Sequence, residues 1–291
     1  IARRQRQMCI RDSPEAVSKM LADIGLEATT QQIITSAQAV LQLVADEVPA
    51  ASKLLIIGAD SFRDLAREMG FEVVSSADDK PAAVVQGFDR SVGWEQLTEG
   101  ALAIRQGAKF FASNLDTSLP IERGFAVGNG SLVAAIQSAT GVEPVSAGKP
   151  SPAMFTFAAK QIGAKKPLAV GDRLDTDIAG GNSAAMNTFH VLTGVSGELE
   201  LIEAPVEARP NFIGAGMHEL ALPVSVARPG AQGGFTARCD GHDLLLEGGD
   251  EKSTSVQALR TVLEVAWAMP SPPRYIQPRS ERAEKVVAQW R

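Results

Sequence analysis

Cysteine and histidine are scarce in this chain: its 291 residues carry two of the first and three of the second. Cys9 and Cys239 lie far apart and show no Cys-x-x-Cys spacing, which argues against a disulfide framework and against a zinc site. Long apolar runs are missing too: none approaches the roughly 18 residues of a spanning helix, and no apolar stretch near the start reads as a secretory signal. Nor is there an excess of positive charge. With a formal net charge of -6, the surface as a whole repels phosphate backbones, though a local site for a small phosphate ester is not excluded. The expectation is a reducing, cytoplasmic protein with neither nucleic acid nor a membrane as partner.

What is present has the composition of an ordinary globular protein, 45% hydrophobic and 21% charged, and enough length for about two domains. The opening stretch "IARRQRQMCIRDS" is basic but lacks the period of a transit helix. Met8 to Ser13 can be encoded by ATG TGT ATA AGA GAC AG and a pyrimidine, which resembles a transposon-end adapter from sequencing libraries. Residues 1–13 are therefore expected to be an adapter artefact, with the natural protein entering at about Pro14, already in progress.

From there the chain alternates. Helices are expected over Pro14–Gly25 and over Ser36–Val48, the second capped by Ser36. "KLLIIG", "FEVV", "AAVVQGF", "KFFASN" and "GFAVGNG" read as short strands separated by helices, and "SPAMFTFAAKQIG", "PLAVGD", "DIAGGNSAAM" and "TFHVLTG" resume the pattern. Alternation of this kind makes an α/β fold with mostly parallel strands. After about Leu222 a hairpin turned at Asp240-Gly241, a helix, the Pro-rich linker "PSPPRYIQP" and a short amphipathic end are expected.

The chemistry concentrates in "AVGDRLDTDIAGGN". Asp172 follows a strand, where open parallel sheets collect ligands, and Asp175 and Asp177 come just after. Hard oxygen donors of this kind suit magnesium, which takes one or two carboxylates with water and phosphate; the bland alternative is a helix cap. Upstream, "GKPSP" holds Lys149 between a glycine and a proline, in a loop from which it could meet a phosphate as a point charge. Gly171 lets the backbone turn or approach a ligand. "GNGSLVAA", with Gly128 and Gly130, imitates a dinucleotide fingerprint but lacks the acidic partner of a clean βαβ unit. His190 and His218 read as packed or surface residues.

These motifs, together with "IITSAQAVLQLV", "GAKFFASNLDTSLPIERG" and "VLTGVS", resemble the haloacid dehalogenase superfamily of phosphohydrolases, in its class IIA branch of nucleotide, 4-nitrophenyl, phosphoglycolate and pyridoxal phosphatases. The resemblance runs from about Pro14 to Val195. It implies a Rossmannoid parallel-sheet core whose first strands are missing, an inserted α/β cap and a small C-terminal α+β extension. The implied segments are 14–50 (core, first part), 51–145 (cap), 146–222 (core, second part) and 223–291 (extension). It further implies Mg2+ as cofactor, with Asp172 and Asp177 as ligands, Lys149 neutralising the phosphoryl group, and Asn114 and Asp116 contacting substrate. A small-molecule phosphate ester is the implied partner, and the branch allows a homodimer through the cap.

In the family an aspartate in an Asp-x-Asp-Gly motif attacks phosphorus to give an aspartyl-phosphate. No such motif occurs here: Asp175-Thr176-Asp177 lacks the glycine. The nucleophile and the other half of the cation site are therefore expected upstream of Pro14, and the chain as written is expected to be inactive. The alternatives are a non-catalytic small-molecule-binding member of the same fold and a nucleotide-dependent oxidoreductase.

Overall fold

The computed structural model describes residues 14–291; the adapter reading of residues 1–13 lies outside the described residues. The chain forms two compact units divided between Ala164 and Lys165, a point inside the stretch 146–222 that the family resemblance keeps together.

The first unit opens with α1 (Pro14–Asp23) and α2 (Ser36–Glu47), then alternates β1 (Lys53–Ile57), α3 (Asp60–Glu68), β2 (Glu72–Val74), β3 (Ala83–Gln86), α4 (Trp94–Arg105) and β4 (Lys109–Ala112). A hairpin of β5 (Ser118–Ile121) and β6 (Gly124–Val127) follows, then α5 (Asn129–Thr140), β7 (Val145–Ser146) and α6 (Ala153–Gln161). Strands β2-β1-β3-β4-β7 form one sheet in that order, parallel throughout. Its three inner strands are apolar over Leu54–Ile57, Ala83–Val85 and Phe110–Ala112 because both faces are covered. Leu54, Ile56 and Val85 pack with α2, α3 and α6, while Leu55, Ile57 and Val84 pack with α4 and α5. Thr35, and not Ser36, caps α2. The Thr35 hydroxyl accepts from the Gln38 amide at 3.3 Å, and the Gln38 side chain accepts from the Thr35 amide at 2.9 Å. This reciprocal box satisfies two backbone donors at once and leaves Ser36 already helical, its hydroxyl buried without a partner.

The second unit contains β8 (Leu168–Gly171), a π-helical turn over Leu174–Ile178 running into α7 (Ala179–Ser183), β9 (Asn187–Val191), α8 (Glu198–Glu203), β10 (Phe212–Gly214) and α9 (Val224–Ala227). It continues with β11 (Phe235–Asp240), β12 (Asp243–Gly248), α10 (Ser255–Ala266), β13 (Ile276–Pro278) and α11 (Glu281–Val287). A parallel sheet β10-β9-β8 and a mixed sheet β11-β12-β13 result. Leu174, Ile178, Leu201 and Ile213 share one core with Phe235, Leu246, Leu259, Val286 and Trp290, so residues 223–291 pack as part of the unit that carries β8.

Two further local expectations are corrected. Asp240 pairs with Asp243, which makes Gly241 and His242 the hairpin loop, and Gly241 takes the positive φ of +63° open to a residue without Cβ. The Pro-rich stretch is not only a linker: Ile276–Pro278 adds an edge strand parallel to β12, the position in a sheet where proline is tolerated. The α/β class with parallel sheets is as expected. No helix among the described residues is long and apolar enough to cross a membrane.

Candidate active site

At the carboxyl end of β8 the chain leaves Gly171 and passes directly into Asp172. Both Asp172 and Asp177 are half-buried. The amides of Asp177 and Ile178 both donate to the Arg173 carbonyl, at 3.0 and 3.1 Å, and this turn swings Asp177 back over the strand end. A Cβ on Gly171 would collide with the Asp177 carboxyl group, and a Cβ on Gly194 would collide with that of Asp172. The two glycines therefore vacate the space in which the carboxylates sit. Oδ2 of Asp177 accepts from the Arg173 amide at 3.3 Å. Oδ2 of Asp172 accepts from the Val195 amide at 2.8 Å, and the Asp172 carbonyl accepts from the Ser196 amide at 2.9 Å.

Asp175 is spent elsewhere. It is exposed and meets Arg173 through two hydrogen bonds, at 3.1 and 2.6 Å, and those bonds hold its carboxyl below the usual aspartate range. The guanidinium fork binds Asp175 two-pronged and keeps it off the strand end.

Behind the site, His190 of β9 pairs in register with Gly171 and is fully buried. Its Nε2 lies 3.0 Å from the Ser196 carbonyl, which only accepts, so Nε2 carries the proton. Burial pushes the imidazole below its ordinary pKa, against the opposing pull of the Ser196 carbonyl and the charges of Asp172, Asp177 and Glu200. His190 is thus a packed, neutral residue that fastens the 194–196 loop from inside. Among the described residues no group of three or more His, Cys, Asp or Glu is placed to hold a metal. Two carboxylates at a strand end fit a hard, partly hydrated cation such as magnesium and not a closed zinc site.

The remaining expected site residues lie in the first unit. Lys149 is exposed in the loop between β7 and α6, beyond a bond from the Gly148 amide to the Ser146 hydroxyl at 3.1 Å. The Gly148 backbone presses on Asn114, so that a Cβ there would come within 2.8 Å of the Asn114 Cβ. This brings the Lys149 loop beside the Asn114–Asp116 loop. The Asn114 side chain is buried, and its amide group works within its own loop. Nδ2 donates to the Ser113 hydroxyl at 3.1 Å, and Oδ1 accepts from the Asp116 amide at 3.2 Å. Asp116 is exposed, and its carbonyl accepts from the Gly130 amide at 2.8 Å. Gly128 and Gly130 lack a Cβ where the 115–118 backbone presses on them, which gives both glycines of that stretch a packing reason. Sequence reasoning gave no role to Gly194, Val195 or Ser196, and read His190 only as a packed or surface residue; it is packed. The one trace of them was the segment "VLTGVS", whose glycine is explained only by the carboxylate lying against it.

A sequence profile of haloacid dehalogenase-like hydrolases matches residues 10–72, and a HAD-hydrolase-like profile matches residues 146–220. A D-glycerol 3-phosphate phosphatase from Mycobacterium tuberculosis is 37% identical over 289 residues, spanning 96% of this chain and 82% of that protein. An acid sugar phosphatase from Staphylococcus saprophyticus is 35% identical over 201 residues, 68% of this chain and 76% of its own length. Among solved structures, a glycerol phosphate phosphatase from Mycobacterium tuberculosis in complex with magnesium superposes with a TM-score of 0.90 at 35% identity, covering 97% of this chain and 85% of that one.

Proposed function

The chain belongs to the haloacid dehalogenase-like hydrolase family, and from that membership we propose that it is the body of a magnesium-dependent, cytoplasmic phosphatase acting on a small phosphomonoester. The observation that carries this reading is the pair Asp172 and Asp177, held half-buried at the end of β8 in space left by Gly171 and Gly194. Asp172 and Asp177 would hold the ion, while Lys149 would bring a fixed positive charge to the phosphoryl oxygens. Phosphoryl transfer asks mainly for positioning and charge neutralisation, and magnesium, when bound, supplies the second.

The finer reading is an aspartyl-phosphate mechanism. One aspartate attacks phosphorus, the bond to the leaving alcohol breaks with protonation of that alcohol, and water then releases phosphate. No Asp-x-Asp-Gly stands in these 291 residues to supply the nucleophile. The chain as given is therefore expected to bind magnesium without turning substrate over; the same observation favours, as a second reading, a non-catalytic binding member of the fold. The similarity to a D-glycerol 3-phosphate phosphatase makes a polyol phosphate the substrate to try first.

Two measurements test this. Mg2+ titrated into the chain should bind, and Asp172→Asn should abolish binding; unchanged binding in the variant would refute the metal assignment. Glycerol 3-phosphate incubated with the chain should release no phosphate, and release abolished by Lys149→Ala would show that the nucleophile lies within the 291 residues after all.

A further inference from the structure

A trans peptide unit carries its carbonyl and its amide on opposite sides, and the peptide joining Gly194 to Val195 uses both. Its amide donates to Oδ2 of Asp172 at 2.8 Å, and its carbonyl accepts from Nη2 of Arg291 at 2.9 Å. The same Nη2 donates to the Leu192 carbonyl, also at 2.9 Å. The Arg291 carbonyl in turn accepts from the Leu199 amide at 3.1 Å and fills the space that a Cβ on Gly197 would need. Arg291 is placed by its neighbour: Trp290 is buried in the core of the unit and donates its indole N–H to the Ser255 hydroxyl at 2.8 Å. The loop from Leu192 to Leu199 is therefore gripped on one side by His190 and on the other by a charged donor carried behind α11.

We propose that Arg291 is a positioning residue for the candidate site: it orients the 194–195 peptide so that the amide points at Asp172, and so couples residues 223–291 to the carboxylate that would bind magnesium. A guanidinium bonded to two carbonyls makes charge-assisted hydrogen bonds, stronger than neutral ones, and polarises the peptide whose amide meets the carboxylate. Arg291 is exposed, so truncating it removes the grip without opening the core. The proposal rests on the magnesium reading only where metal affinity is the readout.

The test uses Arg291→Ala and Arg291→Lys in the full chain, followed residue by residue with amide hydrogen exchange and with titration of Mg2+ alone. In Arg291→Ala the Val195 amide should exchange about tenfold faster than in the parent, while Leu245 in β12 and Ile213 in β10 keep their protection. Mg2+ should bind about tenfold more weakly, the effect typical of losing a residue that orients a metal ligand. Arg291→Lys should recover part of both, since an ammonium keeps the charge but not the fork. Val195 exchange within about twofold of the parent would overturn the proposal, as would equal loss of protection at Leu245, which would make Arg291 a general staple. If no form of the chain binds Mg2+, the metal reading fails, and Val195 exchange alone decides the role of Arg291.

Discussion

In the five-stranded sheet of the first unit, β1, β3 and β4 run out into Gly58, Gly87 and Ser113, whereas β8 of the second unit runs out into Asp172. Both sheets are parallel, and both offer the crevice that such sheets leave at their carboxyl ends. The second places a half-buried carboxylate directly after the strand, in space left by Gly171 and Gly194, with the Val195 amide donating to Asp172. In the first unit Asn114, in the loop after β4, is buried and consumed by its own loop, while the two charged residues expected at a site, Asp116 and Lys149, are exposed. A shared architecture thus leaves the chemistry to a few side chains and the glycines that admit them.

The largest expected break in this contrast is Asp172→Ala. It should abolish Mg2+ binding and leave the thermal transition of the second unit little changed, as followed by titration and by calorimetry. A carboxylate is hard to replace as a magnesium ligand, and residual affinity near that of the parent would move the site elsewhere.

Core truncations come next and separate the two units. Phe111→Ala removes a side chain 1% exposed in the first unit and should cost about 3–5 kcal/mol. Leu259→Ala, fully buried in the second, should cost about 2–5 kcal/mol. Mg2+ affinity should drop only in Leu259→Ala, because Leu259 shares its core with Leu174 and Ile178 of the turn that carries Asp177. Denaturant unfolding with Mg2+ titration on both variants measures this, and equal loss of affinity in Phe111→Ala would defeat it.

The alternation of strand and helix was legible because aliphatic runs such as Leu54–Ile57 can be buried on both faces only in a parallel sheet with helices on each side. The place of Asp172 at a strand end was legible for the same reason, since it stands straight after such a run. What supports it was not legible. The amides of Val195 and Ser196 belong to the backbone and leave no mark in residue identity, and Arg291 reaches the loop from 97 positions away in sequence. The core that joins Ile213 to Leu259 was hidden likewise, since the composition change after Leu222 marks a boundary in sequence and not in packing.

Gly194→Ala sharpens the contrast at the strand end itself. The added methyl would strike the Asp172 carboxyl group, so Mg2+ affinity should fall about tenfold and stability by about 1–3 kcal/mol. Unchanged affinity would mean that Asp172 has room to move.

A smaller effect is expected from His190, whose folded pKa lies below its ordinary value because the ring is buried, with Asp172, Asp177 and Glu200 pulling the other way. The unfolded chain therefore takes up this proton first as pH falls. Its contribution to stability is present above about pH 6.5 and is lost as pH drops toward the folded value. Melting temperature should decline between about pH 7 and about pH 5, less steeply in His190→Gln; identical slopes would assign the decline to other groups.

The smallest expected effect belongs to the third carboxylate. Asp175 is held below the usual aspartate range by its hydrogen bonds from Arg173. Its contribution is therefore present above about pH 3.9 and is lost as pH falls below that. The pair is exposed, so Asp175→Asn at neutral pH should change stability by no more than about 0.5 kcal/mol and leave Mg2+ affinity untouched. Asp177→Asn, two residues on, should weaken Mg2+, because that carboxyl group lies over Gly171 at the strand end. Titrating Mg2+ into both variants asks whether two carboxylates or three serve the site. Equal losses would mean that the Arg173 fork opens when the ion arrives, and that the contrast between the two strand ends is set by the ion as well as by the fold.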